Sequence, residues 1–522
     1  MPTRSAEVPI AVPGDGKSPK PAPARAAPFL DCALLLAATG ISRYLCRSHF
    51  LYDIDSVNFA LAMDHFDPAL HQPHPPGYFL YVCAARAANL IFHDANTSLV
   101  ALSILASCAA AVLIYLLTRT WFGRPAGIFA GAIFIFSPLC WFHGTVALTY
   151  IVEAFFSAMI GYLCWRGDSG ERSWLWGAAV ALGVASGFRP SSLLFLGPLF
   201  LFSLRAARVH IRVLAISLLT LTLLAWWIPM TEACGGMRAY FGSLLALWNH
   251  IPAKQNLRTA FPAMVVARSI TILGIGALCF GCTLFLSLTR EARTDRARHT
   301  QKIFTYVWVS PGLLFFTFVF LNFVNSGYIL VLTPPLFAWL GLRVSVWYTR
   351  NSSRKLFRNS AITLVALANA CIFFCAPVYC SLREVKRFEA QLTLTVAELR
   401  QRYAPEKTLI VGFDSHFLGY RHAGYYLPEF LTVQYPAVPL PGGKRIFAVE
   451  HRRTELLVAV PASRFRQFVF FPLPSGSDYR GYMDRVLALL PANAVRSEGR
   501  DPGFLAGYPA DLAGLFSGAV RP

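Results

Sequence analysis

The chain has 522 residues, of which 55% are hydrophobic and only 14% charged, with a net charge of +20. Soluble domains carry about 25% charged residues, so a string of soluble domains is excluded. The positive charge does not mark a nucleic-acid partner: most arginines lie in short loops between apolar runs, where they set membrane orientation.

Residues 1–28, rich in Pro, Ala and basic side chains without apolar periodicity, predict a disordered cytoplasmic tail. The apolar run 29–46 follows with no small-residue cleavage site and reads as a signal anchor. Spanning a bilayer takes ~20 mostly apolar residues. Stretches near 29–46, 98–117, 126–142, 145–165, 174–188, 191–204, 211–230, 264–288, 303–323, 327–348 and 360–380 predict eleven spans.

The stretch 77–93 carries Arg86 and Asn89 and is read as a helix lying flat at the interface. With it left out, the loops around Arg119–Arg124, Arg166–Arg172, Arg205–Arg212, Arg290–Lys302 and Arg350–Arg358 all fall on one side. That side is the cytoplasm, together with the N-terminus. The first outer loop, 48–95, and everything from Ser381 onward are then extracytoplasmic. The loop 236–257, with Tyr240 and Trp248, reads as a second interfacial helix.

Residues 381–522 are charged throughout. A strand-like run at Thr408–Phe413 and another apolar run at 468–471 predict a small α/β domain. The expected architecture is therefore an all-α polytopic membrane domain over 29–380 followed by this outer domain over 381–522. All twelve cysteines lie between Cys32 and Cys380, in or beside apolar runs, and read as buried free thiols. The pair Cys279-Phe-Gly-Cys282 falls inside a predicted span without the further ligands a metal site needs.

The first outer loop is where chemistry is expected. Asp53, Asp55, Asp64 and Asp67, with His65, His71 and His74, occur between Arg47 and Arg86 with no lysine or arginine among them. Carboxylates so placed serve as a general base or hold a divalent cation. Asp64, His65 and His71 are the candidate metal ligands, although nothing firmly implies a cofactor. His74-Pro-Pro-Gly-Tyr is stiff at its prolines and free at its glycine, a geometry suited to presenting side chains at the membrane surface.

Asp55-Ser-Val-Asn-Phe-Ala-Leu-Ala62, followed by His74-Pro-Pro-Gly-Tyr-Phe-Leu-Tyr81, resembles the first outer loop of the GT-C membrane glycosyltransferases. The likeness is to bacterial relatives of protein O-mannosyltransferases and aminoarabinose transferases. It implies a location in a bacterial inner membrane and a polyprenyl-phosphate-sugar donor bound from the outer leaflet. It also implies transfer, with inversion, to a hydroxyl of a glycan, lipid or protein acceptor. Asp55 matches the family's essential aspartate, with Asp53 the alternative, and His74 opens the run that leads to an interfacial helix. Ser56 stands where the family has a second acidic residue.

The resemblance continues through Ala147–Ala154, where Glu153 is an ionisable group inside a span, with His143 as its expected partner. Arg189, in Gly187-Phe-Arg-Pro-Ser-Ser192, is a candidate for the lipid phosphate, since guanidinium pairs well with phosphate oxygens. Arg43 and Arg47 at the outer end of the first span are its rivals, with snorkelling to headgroups the alternative. Asn325–Pro335 resembles a late family segment and carries Tyr328 as a further contact, without the family's arginine. His416, Arg421 and His422 in the outer domain read as surface groups, with contact to sugar or acceptor the alternative. A transporter or lipid flippase is the rival function, and neither a clear internal repeat nor charge deep in most spans supports it.

Overall fold

The computed structural model describes residues 26–255, 261–289, 299–323, 325–435, 438–440, 443–458, 460–461, 465, 467–471 and 516–517. The expected N-terminal tail, apart from 26–28, lies outside the described residues, as does most of the chain after Phe471.

The helices in chain order are α1 (Ala26–Leu45), α2 (Ile54–Asp64), α3 (Phe79–Phe92), α4 (Ala95–Phe122), α5 (Arg124–Ile135) and α6 (Pro138–His143). They continue as α7 (Tyr150–Asp168), α8 (Trp174–Phe188), α9 (Ser191–Leu204), α10 (Val209–Ala233), α11 (Met237–Gln255) and α12 (Phe261–Phe280). Then come α13 (Thr283–Leu288), α14 (His299–Leu314), α15 (Thr333–Arg350), α16 (Lys355–Cys375), α17 (Leu382–Arg402) and α18 (Tyr420–Tyr426).

Helices occupy all eleven stretches expected to span. Among the described residues six are long and apolar enough to cross a membrane: α4, α10, α12, 299–319, 326–350 and α16. The expected spans at 126–142, 174–188 and 191–204 rest on shorter apolar helices of 12, 15 and 14 residues. At ~1.5 Å per residue none of the three alone covers a ~30 Å hydrocarbon layer.

The breaks have local causes. Ser137 caps α6 by accepting from the Cys140 N–H, and Pro138 takes a first-turn position that needs no donor. Gly281 separates α12 from α13 at φ +53°, a conformation that suits glycine. The carboxamide oxygen of Asn369 accepts the Cys282 N–H that this turn frees.

Residues 79–92, expected to lie flat at the interface, form a 14-residue helix, the same length as α9. Its Tyr81, Val82 and Ala85 are buried, while Leu90, Ile91 and Phe92 are exposed. Arg86 donates to the carbonyls of Ala62 and Met63, satisfying the C-terminal end of α2. The stretch expected as a second interfacial helix is α11, whose Tyr240 hydroxyl donates to the Pro76 carbonyl.

The core of the membrane domain is α4, packed by α1, α3, α5, α7 and α15. Close crossings use small residues, as helix contacts in lipid require. Gly341 of α15 lies against the Ala126 carbonyl and Ala130 of α5, and Gly161 of α7 leaves room for the Trp308 ring. Ser157 ties the layers by donating to the Val331 carbonyl and accepting from the Trp308 indole.

Two ends of this bundle differ in chemistry. At one, Asp31 takes both Nε and Nη2 of Arg124 at 2.8 Å and the Tyr115 hydroxyl at 2.7 Å. There Asp168 also meets Arg205 at 3.1 Å. These contacts join several of the arginine-rich turns assigned to the cytoplasmic side. At the other end lie the loop before α2, the start of α7, the α8–α9 turn and residues 325–332.

The C-terminal domain docks on that second end. Its α17 buries Val385, Phe388, Leu392 and Leu399 along one face. Strand β1 (Thr408–Phe413), wholly buried, runs parallel to β2 (Thr432–Tyr435) with Ile410 opposite Thr432. The strands β3 (Val438–Leu440), β4 (Gly443–Glu450) and β5 (Arg453–Leu457) are antiparallel neighbours. After β6 (Val460–Pro461), β7 (Gln467–Phe470) pairs parallel to the free side of β1, giving the order β3-β4-β2-β1-β7 with β5 on β4. The two apolar runs expected as strands are therefore β1 and β7.

Candidate active site

The site is built first by α2. Asp53 is its N-cap, with an extended backbone, and its Oδ1 accepts the Asp55 N–H at 2.9 Å. Such a cap satisfies a donor that the helix itself cannot. It also places Asp55 in the first turn, where the helix dipole favours a negative charge.

His74 comes from the proline-rich turn. Its Nδ1 faces Asp55 Oδ1 at 3.2 Å, and its Nε2 shares a hydrogen bond with the Tyr78 hydroxyl at 3.0 Å. Gly77 in this turn has φ +114°, which L side chains rarely adopt. Asp55 and His74 each retain 22% side-chain exposure, so the pair is reachable.

The second wall comes from α7 to α9 and residues 325–332. Pro190 holds Arg189 extended, ending α8. The side chain of Arg189 meets Glu153 through Nε at 2.9 Å and donates from Nη1 to Thr149 at 2.8 Å. Ser191 and Ser192 in the first turn of α9 donate to the other carboxylate oxygen of Glu153 at 3.0 and 3.4 Å. The guanidinium lies 4.3 Å from the Tyr150 ring centre, 5.2 Å from that of Tyr328 and 5.8 Å from that of Tyr78. Tyr78 thus touches both walls, through its hydroxyl to His74 and its ring to Arg189.

Electrostatics separate the two aspartates. Burial pushes Asp53 up, but His416 and the Asp55 N–H outweigh it and leave Asp53 below the ordinary carboxylate value. Asp55 is raised, first by burial and then by the charge of Asp53, against the pull of His74, His416 and Arg189. Burial pushes the His422 imidazole down to about 4. His416 is desolvated too, yet Asp53, Asp55 and Asp414 raise it to about 9. Of these two histidines, His416 therefore carries the charge.

Asp53, Asp55, His74, Glu153, Arg189 and Tyr328, singled out in sequence, come together here. His143 does not partner Glu153; it meets the Ser326 hydroxyl at 3.4 Å and packs edge-on to Tyr150, while Arg189 takes the carboxylate. The two other arginines are held in local structure. Arg43 is fully buried, donates to the Ile135 carbonyl at the end of α5 and lies over Trp141. It caps that helix, a use that cations serve at helix C-termini. Arg47 folds back on the Tyr44 ring and carbonyl.

Asp64, His65 and His71 are exposed. Among the described residues no group of three or more His, Cys, Asp or Glu is arranged to hold a metal ion, so these three do not form the expected cluster. Tyr78, Tyr150 and Thr149 escaped sequence reasoning. His416 was seen, but as a surface group.

The fold defines the class: the chain has the GT-C fold of the membrane glycosyltransferases. The family described as protein O-mannosyl-transferase TMEM260 N-terminal domain matches residues 66–212. ArnT from Cupriavidus metallidurans in the apo state superimposes with a TM-score of 0.51 at 13% identity, covering 94% of this chain and 98% of that one. ArnT bound to undecaprenyl phosphate gives 0.46 at 13% identity, covering 78% and 93%. The apo oligosaccharyltransferase of Archaeoglobus fulgidus gives 0.46 at 12% identity, covering 78% of this chain and 64% of its own. No curated protein sequence matches the chain.

Proposed function

We propose that the protein is an integral membrane glycosyltransferase that moves a sugar from a polyprenyl-phosphate donor to an acceptor hydroxyl on the outer face, inverting the anomeric centre. The observation that carries this reading is the bridge made by Tyr78 between Asp55–His74 and Arg189. A carboxylate oriented by an imidazole and a cation in an aromatic cage are thus joined through one tyrosine. ArnT, whose fold the chain shares, is seen with undecaprenyl phosphate bound, in keeping with this donor class.

Asp55 takes the proton of the acceptor hydroxyl while that oxygen attacks the anomeric carbon. The bond from that carbon to the lipid phosphate oxygen breaks, and the phosphate leaves with the electron pair. His74 fixes the carboxylate for this step. Glu153 pairs with Arg189 at its Nε edge and Thr149 accepts from Nη1; the remaining N–H groups of the guanidinium would meet the phosphate, where preorganised charge lowers the barrier.

The test is transfer by the purified full-length protein in liposomes, with polyprenyl-phosphate-linked sugars and membrane extract as acceptor source. Mass spectrometry should find free polyprenyl phosphate and a glycosylated acceptor. Donor that stays intact with every sugar tried would contradict the proposal.

A further inference from the structure

The C-terminal domain reaches into the first outer loop at one point of chemical interest. After β1 the chain turns through Asp414–Gly419 and brings the His416 carbonyl to the Ile54 N–H at 2.9 Å. The imidazole Nδ1 of His416 stands 3.5 Å from Asp53 Oδ2. Asp53 thus divides its oxygens: Oδ1 caps α2 through the Asp55 N–H, and Oδ2 faces a histidine more than 360 residues away in sequence.

Neighbouring contacts fix this junction. The Tyr52 ring lies 4.9 Å from Phe417 and 5.1 Å from Phe388. The Leu51 N–H donates to the Tyr426 hydroxyl at 2.8 Å, and Glu389 accepts the His49 N–H at 2.6 Å. The side chain of Asp53 is 8% exposed and that of His416 29%.

We propose that His416 is a positioning residue for sugar transfer: by holding Asp53 at the head of α2 it sets the Asp55 carboxylate against the acceptor hydroxyl, so the C-terminal domain completes the site. This rests on the glycosyltransferase reading above. The charged and titratable groups around the contact are Asp53, Asp55 and Asp414 about His416; His422, His143, Tyr52 and Tyr379 about Asp53; and His74, Arg189, Tyr78, Tyr150 and Tyr328 about Asp55. Among these, the raised imidazole and the lowered Asp53 are what a standing ion pair produces.

A positioning role and a merely structural one differ in what they move. Without His416, Asp55 loses one of the positive charges that favour its ionised form, so its proton affinity rises. The donor wall at Arg189 is held by Glu153, Thr149 and the Tyr150 and Tyr328 rings, and should bind as before.

The experiment uses full-length protein in liposomes with a polyprenyl-phosphate-linked sugar, comparing the parent with His416→Ala, His416→Lys, Asp53→Asn and the double variant His416→Ala/Asp53→Asn. His416→Ala should lower kcat by about ten- to a hundredfold, the scale of a misplaced catalytic group, with donor KM within about twofold. The acid limb of its pH profile should move to higher pH, and His416→Lys should recover part of kcat. The double variant should be no slower than Asp53→Asn alone, because His416 acts through Asp53.

Parent-like kcat and an unmoved acid limb in a well-folded His416→Ala protein would overturn the positioning role while leaving the transferase reading standing. Multiplying losses in the double variant would do the same. A parent that transfers no sugar would overturn the transferase reading, and this role with it.

Discussion

Glu153 meets the Nε edge of Arg189 at 2.9 Å, with only 1% and 6% of their side chains exposed. The contact neutralises a cation that would otherwise be buried alone. Breaking such a pair by removing one partner costs roughly 3–5 kcal/mol, far more than a surface ion pair contributes. Glu153→Gln keeps the Ser191 and Ser192 contacts but leaves Arg189 uncompensated. It should lower the thermal unfolding temperature in detergent, whereas Arg189→Lys should keep more of the stability and weaken donor binding through loss of the planar fork. Donor titrations of Arg189→Lys that overlay the parent would show that the arginine only supports the fold.

Gly327 supports the aromatic cage from behind. A Cβ at this position would overlap the Tyr150 ring, which lies over Arg189. Gly327→Ala should therefore push Tyr150 off the guanidinium, at the ~1–3 kcal/mol typical of overpacking. Transfer should fall with expression largely retained. Equal donor affinity and equal turnover would mean that the cage has no part in binding.

The opposite shifts of the two aspartates fix the sign of a pH experiment. Asp55 must be ionised to accept a proton, and its carboxyl is held above the ordinary value, first by burial. Activity should therefore fall as the pH drops through a midpoint above ~4, the usual carboxylate value. His74→Gln removes a positive influence and should move that limb to higher pH. Asp53→Asn removes a negative one and should move it lower. Rate–pH curves measured with donor saturated report both, and shifts in the same direction would contradict the assignment.

Orientation can be read independently. The arginine-rich turns joined by Asp31–Arg124 and Asp168–Arg205 belong to one end of the bundle. Cysteine labelling at Arg354 and at Arg402 should give opposite accessibility in sealed vesicles, with Arg402 outside. Labelling of both from the same side would exclude the proposed topology.

Sequence reasoning reached the helices because most are apolar runs bounded by arginine-rich turns, and the charge distribution is what set α3 apart as an interfacial helix. Glu153 was legible because an ionisable group is costly inside a span, and Asp55 and His74 because they stand in an acidic loop without a lysine or arginine and in the motif that carries the family resemblance. The tyrosine cage was not. Tyr78 and Tyr150 sit in apolar stretches where a phenol looks like any other core ring, and only the meeting of three distant segments shows their role. The candidate metal ligands are a related case: Asp64, His65 and His71 are close along the chain, but among the described residues they join no group arranged to hold an ion. Likewise His416 was bound to look like surface until the C-terminal sheet carried it to Asp53.

The central claim is that Asp55 is the base. Asp55→Asn keeps its size and the backbone cap while removing the proton acceptor, so folding and donor binding should survive. A missing general base costs ~10²–10⁴ in rate. The measurement is single-turnover transfer from a polyprenyl-phosphate-linked sugar by matched amounts of parent and variant in liposomes. A loss within that range, with donor affinity unchanged, is the predicted result; near-parent turnover by the Asp55→Asn protein would contradict it.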